Sequence, residues 1–292
     1  MKTNVTNNHF KSIMQDVGNF LKHGNELPYD LMKDFAGELK YTNLIMPANI
    51  TDENLGFEEV FFETGMSMMP LFTDDDEFLK HESYFDPVPF ELVFYIELIK
   101  SSQRSDGFIV NMESENFFLS RNLLTGLKLS KKAVYEGDAV EPGEALKVAK
   151  TVTNDSFTGF IKTGSNDYDE LVGHLKNSFL LNVVYVENPN DLDYISCIDA
   201  NLAVQSVGRE KYGLLFTSLK NIAETTDEKC MFQIANLNEF FEFILRNDMD
   251  GIIVNPGIDD YYIHRNNILR IARSVTFTDA IYRNASYVAF KL

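Results

Sequence analysis

One six-residue pattern occurs twice, and it constrains the fold more than any other feature. Asp106-Gly107-Phe108-Ile109-Val110-Asn111 returns 144 residues later as Asp250-Gly251-Ile252-Ile253-Val254-Asn255. The same separation relates Leu71-Phe72-Thr73 to Leu215-Phe216-Thr217, and Arg121-Asn122 to Arg265-Asn266. Three matches at one spacing describe a diverged tandem repeat. Upstream of each copy lies a helical face, Leu92, Tyr95, Ile96 and Ile99 in the first and Leu237, Phe240, Phe241 and Ile244 in the second. Each six-residue pattern reads as a buried strand, followed after a turn by a second strand, Phe117–Leu119 or Tyr261–Ile263. The fold class is therefore α/β (α+β): two similar domains, each a mixed β-sheet flanked by helices.

The 292 residues suit about two domains. The expected division is 1–125 with an N-terminal helix, a connecting segment 126–165, and 166–292. Phe10, Met14, Val17, Phe20 and Leu21 fall at helical spacing. A second helix is expected over about 30–40 with Asp30 as N-cap, mirrored after Tyr168-Asp169 by one running to about Asn177. Pro142 suits the first position of a helix ending near Thr151. Thr73, three residues before Asp76, reads as a side-chain cap, as does Asn236 before Glu239. Further strands are expected over 60–62, 66–72, 180–186, 194–198, 202–206 and 213–217, with a turn at 188–191. The tail 275–292 is expected to add a strand or cover an edge. Gly107 and Gly251 are read as sites of positive φ between helix and strand.

The order of features is a strand ending in Phe216-Thr217, an aromatic-rich helix, then Gly251-Ile252-Ile253-Val254-Asn255-Pro256 and a short hairpin. In the first copy the strand is followed by a helix that begins with acids. This order resembles the SseB N-terminal domain family, named for enhanced serine sensitivity. The resemblance covers about 213–268 and, less closely, 66–124, where Met112 replaces the proline. It implies a bacterial α/β domain, and it carries over no catalytic residues, because the family has none that are agreed.

Composition bears on partners. Asp and Glu number 44 against 26 Lys and Arg, a net charge of −18. Such a chain repels phosphate backbones and anionic lipid, which argues against nucleic acid and membrane surfaces. Cys197 and Cys230 form no CxxC pair, and read as small buried residues of a reducing compartment. No apolar leader and no long apolar run is present, so the expected location is cytoplasmic.

No catalytic, metal or cofactor motif stands out. Asp74-Asp75-Asp76, Asp259-Asp260 and Asp191 with Asp193 lack the spacing of a calcium loop, and read as helix-start or solvated acids. His9, His23, His81, His174 and His264 are scattered singly. Glu136 to Leu146 superficially resembles a carrier-domain hairpin but lacks the lysyl tip. Asn111 and Asn255, with Arg121 and Arg265, are the candidate binding residues. The scaffold alternative is that the asparagines hydrogen-bond a turn backbone. Met66, Met68 and Met69 with Phe61 and Phe62 form a soft apolar cluster, either core or partner surface. The expectation is a non-enzymatic cytosolic binding or regulatory protein, monomeric or weakly dimeric, with an unknown protein partner. The alternative is a small-molecule sensor or enzyme with a pocket at a strand turn or the domain junction.

Overall fold

Phe10, Met14 and Val17 recur at helical spacing because they form the buried stripe of the first helix. The computed structural model describes residues 2–23, 28–50, 55–102, 105–126, 142–185, 201–226, 230–277 and 290–291. The chain divides into two compact units, 1–132 and 133–292. Unit 1 runs α1 (Asn8–Lys22), α2 (Tyr29–Tyr41), β1 (Asn43–Ile50), β2 (Leu55–Phe57), β3 (Val60–Phe61), β4 (Ser67–Leu71), α3 (Asp75–Phe78), β5 (Asp86–Glu91), α4 (Leu92–Ser101), β6 (Gly107–Val110), β7 (Phe117–Ser120) and α5 (Arg121–Gly126). Unit 2 runs α6 (Pro142–Thr151), α7 (Asp155–Lys162), α8 (Tyr168–Lys176), β8 (Leu181–Tyr185), β9 (Asn201–Leu202), β10 (Val204–Val207), β11 (Glu210–Leu215), α9 (Leu219–Thr225), β12 (Met231–Ile234), α10 (Leu237–Arg246), β13 (Gly251–Val254), β14 (Tyr261–His264), α11 (Arg265–Ser274) and β15 (Phe290–Lys291). The class is α+β.

Each unit holds a four-stranded mixed sheet, β3-β4-β6-β7 or β10-β11-β13-β14. In both, the central pair is parallel and the outer pairs antiparallel. Met68 stands opposite Gly107 and Tyr212 opposite Gly251; Gly107 stands opposite Ser120 and Gly251 opposite His264. Those registers differ throughout by the repeat spacing. The outer hairpin slips by one residue, with Val60 opposite Met68 but Val204 opposite Gly213. A parallel pair needs a crossover, and the helix-strand-helix runs α3-β5-α4 and α9-β12-α10 supply it.

The second sheets are β2-β1-β5 and β15-β12-β8-β9. Each joins its four-stranded neighbour through a reciprocal backbone pair, Ile45 with Phe72 and Leu181 with Phe216, all four bonds at 2.8 Å. The open outer edge of β5 carries Pro87 and Pro89, which remove two donors from it. Its counterpart β12 has no proline and is covered by β15, Met231 opposite Lys291 and Phe232 opposite Phe290. The tail thus does add an edge-covering strand.

The core of unit 1 gathers Phe10, Phe35, Met69, Tyr95, Phe108 and Leu119 from α1, α2, α4 and one face of the four-stranded sheet. In unit 2 the position of Met69 is Gly213, where a Cβ would collide with Ile244 of α10 and crowd Phe240. The helix side chains of unit 2 lie directly over this strand position, where unit 1 carries a methionine.

Several local expectations are corrected. The N-cap of α2 is Pro28, and Asp30 lies in its first turn without capping. Asp74, not Thr73, caps α3, accepting from Glu77 N at 2.8 Å. The Thr73 hydroxyl is engaged by Asn111 instead. Asn236 does cap α10, accepting from Asn238 and Glu239. The segment 126–165 contains α6 and α7, and α7 takes the place that α1 has in unit 1. Asn154 donates to the carbonyls of Phe179 (3.0 Å) and Thr217 (2.7 Å), as Asn7 does to those of Asn43 (2.6 Å) and Thr73 (2.7 Å). The expected turn 188–191, strand 194–198, Cys197, Asp191, Asp193 and residues 136–141 lie outside the described residues.

Gly107 has the expected positive φ (159°) and Gly251 does not, but the two share a further requirement. A Cβ on Gly107 would run into the Leu119 carbonyl oxygen, and one on Gly251 into that of Ile263. The neighbouring strand approaches too closely for a side chain. Left-handed backbone occurs at the other end of each strand, at Asn111 (φ 49°) and Asn255 (φ 52°).

Candidate functional site

The asparagines end the central strands where a left-handed residue is needed, and Asn tolerates that conformation. Both are fully buried. Asn255 Oδ1 accepts from Thr217 N at 2.9 Å, and its Nδ2 donates to Thr217 Oγ1 at 3.0 Å and Asp259 Oδ2 at 2.7 Å. Asn111 repeats the set with Thr73 N at 3.0 Å, Thr73 Oγ1 at 2.9 Å and Glu115 Oε2 at 2.8 Å. The amide is thus consumed by a clamp between the two parallel strand ends.

The arginines are consumed likewise. Arg265, buried, donates to the carbonyls of Leu245 (3.0 Å) and Met249 (2.9 Å), where α10 ends. Arg121 donates to those of Ile99 (2.5 Å), Ser102 (2.6 Å) and Ser105 (2.5 Å) after α4. Orphan carbonyls at a helix end are satisfied this way. Asp106 and Asp250 complete the motif by accepting from Ser67 N (2.9 Å) and Lys211 N (2.7 Å). The structure places all four candidate binding residues in duplicated internal networks.

The acidic runs are also engaged. Asp75 holds the backbone of Thr3 and Asn4 and the Thr3 hydroxyl at 2.7 Å. Asp260 accepts from Gly257 N at 2.7 Å. Among the described residues no three His, Cys, Asp or Glu side chains gather as a metal would need, and no helix is long and apolar enough to cross a membrane.

Two groupings escaped sequence reasoning. In unit 1, at the carboxyl ends of β4 and β6, buried Glu77 receives Lys11 Nζ at 2.8 Å, Lys80 Nζ at 2.7 Å and Ser114 Oγ at 2.6 Å. Burial raises the Glu77 carboxyl, but these donors outweigh it and hold its pKa at about 2. Beside it, His81 lies between Glu58 (2.9 Å) and Glu113 (3.5 Å) and packs on Phe72. Unit 2 has Asn221 at the place of Glu77, donating to Thr217 Oγ1 at 2.9 Å, and exposed Ile258 at the place of Ser114. No signal in the sequence joins Lys11 to Glu77, since 66 residues separate them.

The second grouping is a groove of about 580 Å³ in unit 2, between the first turn of α7 and the last turns of α8. Asp155, Ser156, Phe157, Glu170, His174 and Asn177 line it. Ser156 Oγ lies 3.3 Å from His174 Nδ1, and the imidazole packs against Phe160 at 4.7 Å between centroids. Neither residue had a partner legible in the sequence.

The soft methionine cluster divides: Met68 and Met69 are buried, whereas Met66 and Phe61 are exposed. No family model, no curated protein and no solved structure matches the chain.

Proposed function

We propose that the chain is a cytosolic binding or regulatory protein that engages a protein partner chiefly through unit 1. The observation that carries this reading is the distribution of exposed apolar side chains. Ten of the fourteen large ones exposed among the described residues belong to unit 1, with Phe61 73%, Leu79 72% and Tyr84 104% exposed. Large exposed apolar groups on an acidic chain suit a partner surface. The two units are, in this reading, diverged copies of one domain of the SseB N-terminal kind. The shared ladder registers and the duplicated asparagine and arginine networks support the duplication; the element order supports the kind. A chain of two such copies acts as a monomer or weak dimer.

The test is crosslinked partner capture by wild type and by Phe61→Ser/Tyr84→Ser, with melting measured on both. A folded variant that loses its partner supports the reading. A folded variant that captures the same partners at the same yield overturns it. A second reading, a small-molecule site, is favoured by the groove of unit 2.

A further inference from the structure

At the rim of the groove, unit 2 has a small exposed residue where unit 1 has a bulky buried one. The matched bonds of Asn7 and Asn154 put Asn43 in register with Phe179, and hence Tyr41 with Asn177. A second pair fixes the same register: Thr42 Oγ1 donates to the Glu38 carbonyl, and Ser178 Oγ to the His174 carbonyl, each at 2.8 Å. Tyr41 is buried in unit 1, whereas Asn177 is exposed at the rim of the groove. A short amide thus stands at the groove where the matching position of unit 1 carries a phenol.

The lining fixes the chemistry. Half-buried Phe179 and Val152 supply apolar surface, above the fully buried Phe157. Asp155 and Glu170 supply two carboxylates, and no Lys or Arg lines the groove. Ser156 Oγ and His174 Nδ1, 3.3 Å apart, add two uncharged polar groups beside the carboxylates. The groove thus presents negative charge beside the half-buried Phe179 ring, which disfavours an anion and favours a cation with an apolar body. We propose that this groove binds a small organic amine, its ammonium at Asp155 and Glu170 and its apolar body against Phe179 and Val152. The inference rests on the second reading, that the groove is a ligand site.

Three probes of similar size and different charge test it on the full chain: phenethylamine, phenethyl alcohol and phenylacetate, titrated by calorimetry with amide shifts followed by NMR. The expected result is binding of the amine, with shifts confined to α7, α8 and residues 177–179. Weakening by about two- to fivefold is expected for each of Asp155→Asn and Glu170→Gln, because the carboxylates are solvent-exposed. Asn177→Tyr should abolish binding by restoring the side chain of unit 1, with melting as the check that it folds. Added salt should weaken the amine and leave the alcohol unaffected. Binding of the alcohol or phenylacetate as tight as the amine overturns the inference and leaves the groove a ligand site. Amine binding unchanged in the carboxylate variants likewise overturns the inference alone, and no binding of any probe at millimolar concentration overturns both.

Discussion

The ends of the parallel strand pair show what the two units hold in common and where they part. In both, Asn111 or Asn255 clamps one strand end to the other with the same three side-chain bonds, and an arginine gathers the carbonyls of a helix end 16 to 22 residues before it. Beyond that clamp and the helix cap beside it, Asp74 in one unit and Ser218 in the other, the side chains diverge. Unit 1 builds a buried ion cluster on Glu77, and unit 2 has a neutral amide in its place. Groups that support the backbone are duplicated; groups that face outward have diverged. Residues repeated in a tandem chain are therefore the first candidates for scaffold, and the differences are where recognition is to be sought.

The largest expected effect tests the arginines. Arg265→Ala leaves buried carbonyls without donors and should destabilise unit 2 by about 3–5 kcal/mol; Arg121→Ala, at a half-buried site, should cost unit 1 about 2 kcal/mol. Amide hydrogen exchange in β4 and β11 reports each unit by itself. Equal losses would remove the distinction in burial. Next come the glycines. Gly107→Ala and Gly251→Ala each drive a Cβ against a strand carbonyl, and each should cost about 2 kcal/mol, agreeing within about 0.5 kcal/mol. A harmless substitution in one unit would show that its strands do not meet as those of the other do.

The last effect separates the units by pH. The Glu77 pKa is held at about 2, below its ordinary 4.5. Its contribution is present above the ordinary value and is lost as pH falls towards 2. Glu77→Gln should cost roughly 2 kcal/mol at pH 7, and the gap from wild type should close between pH 5 and 2. Asn221→Ala in unit 2 should show a gap that is flat across that range. A pH-independent gap for Glu77→Gln would mean that the cluster acts through packing alone.

The hairpins after Asn111 and Asn255, the aromatic helices and the cap at Asn236 were legible in the sequence because each rests on residues close together in the chain. Pattern and periodicity carry that information directly. β5 was not legible, since Asp86-Pro87-Val88-Pro89 reads as a strand breaker and becomes a strand only at an edge. α7 was missed as the partner of α1 because the two have little in common beyond an asparagine before the helix and a buried phenylalanine in its first turn. The Asn255 turn was legible as a turn; that its amide reaches back to Thr217 depends on a contact 38 residues distant. The Glu77 cluster and the groove depend wholly on such distant contacts.

The differing edges of β5 and β12 bear on the order in which the chain is made. Among the described residues the sheets of unit 1 draw on nothing beyond Ser120, and the prolines leave the β5 edge a poor template for another strand. The buried, proline-free β12 acquires its cover only when Lys291 has been added, some sixty residues after Met231. At about 5–20 residues per second, that strand waits roughly 3–12 s with an unguarded apolar edge. A translating ribosome thus carries a finished first unit beside a second whose sheet is still open. It is in that interval, more than in the completed protein, that unit 2 needs protection from pairing with another nascent chain.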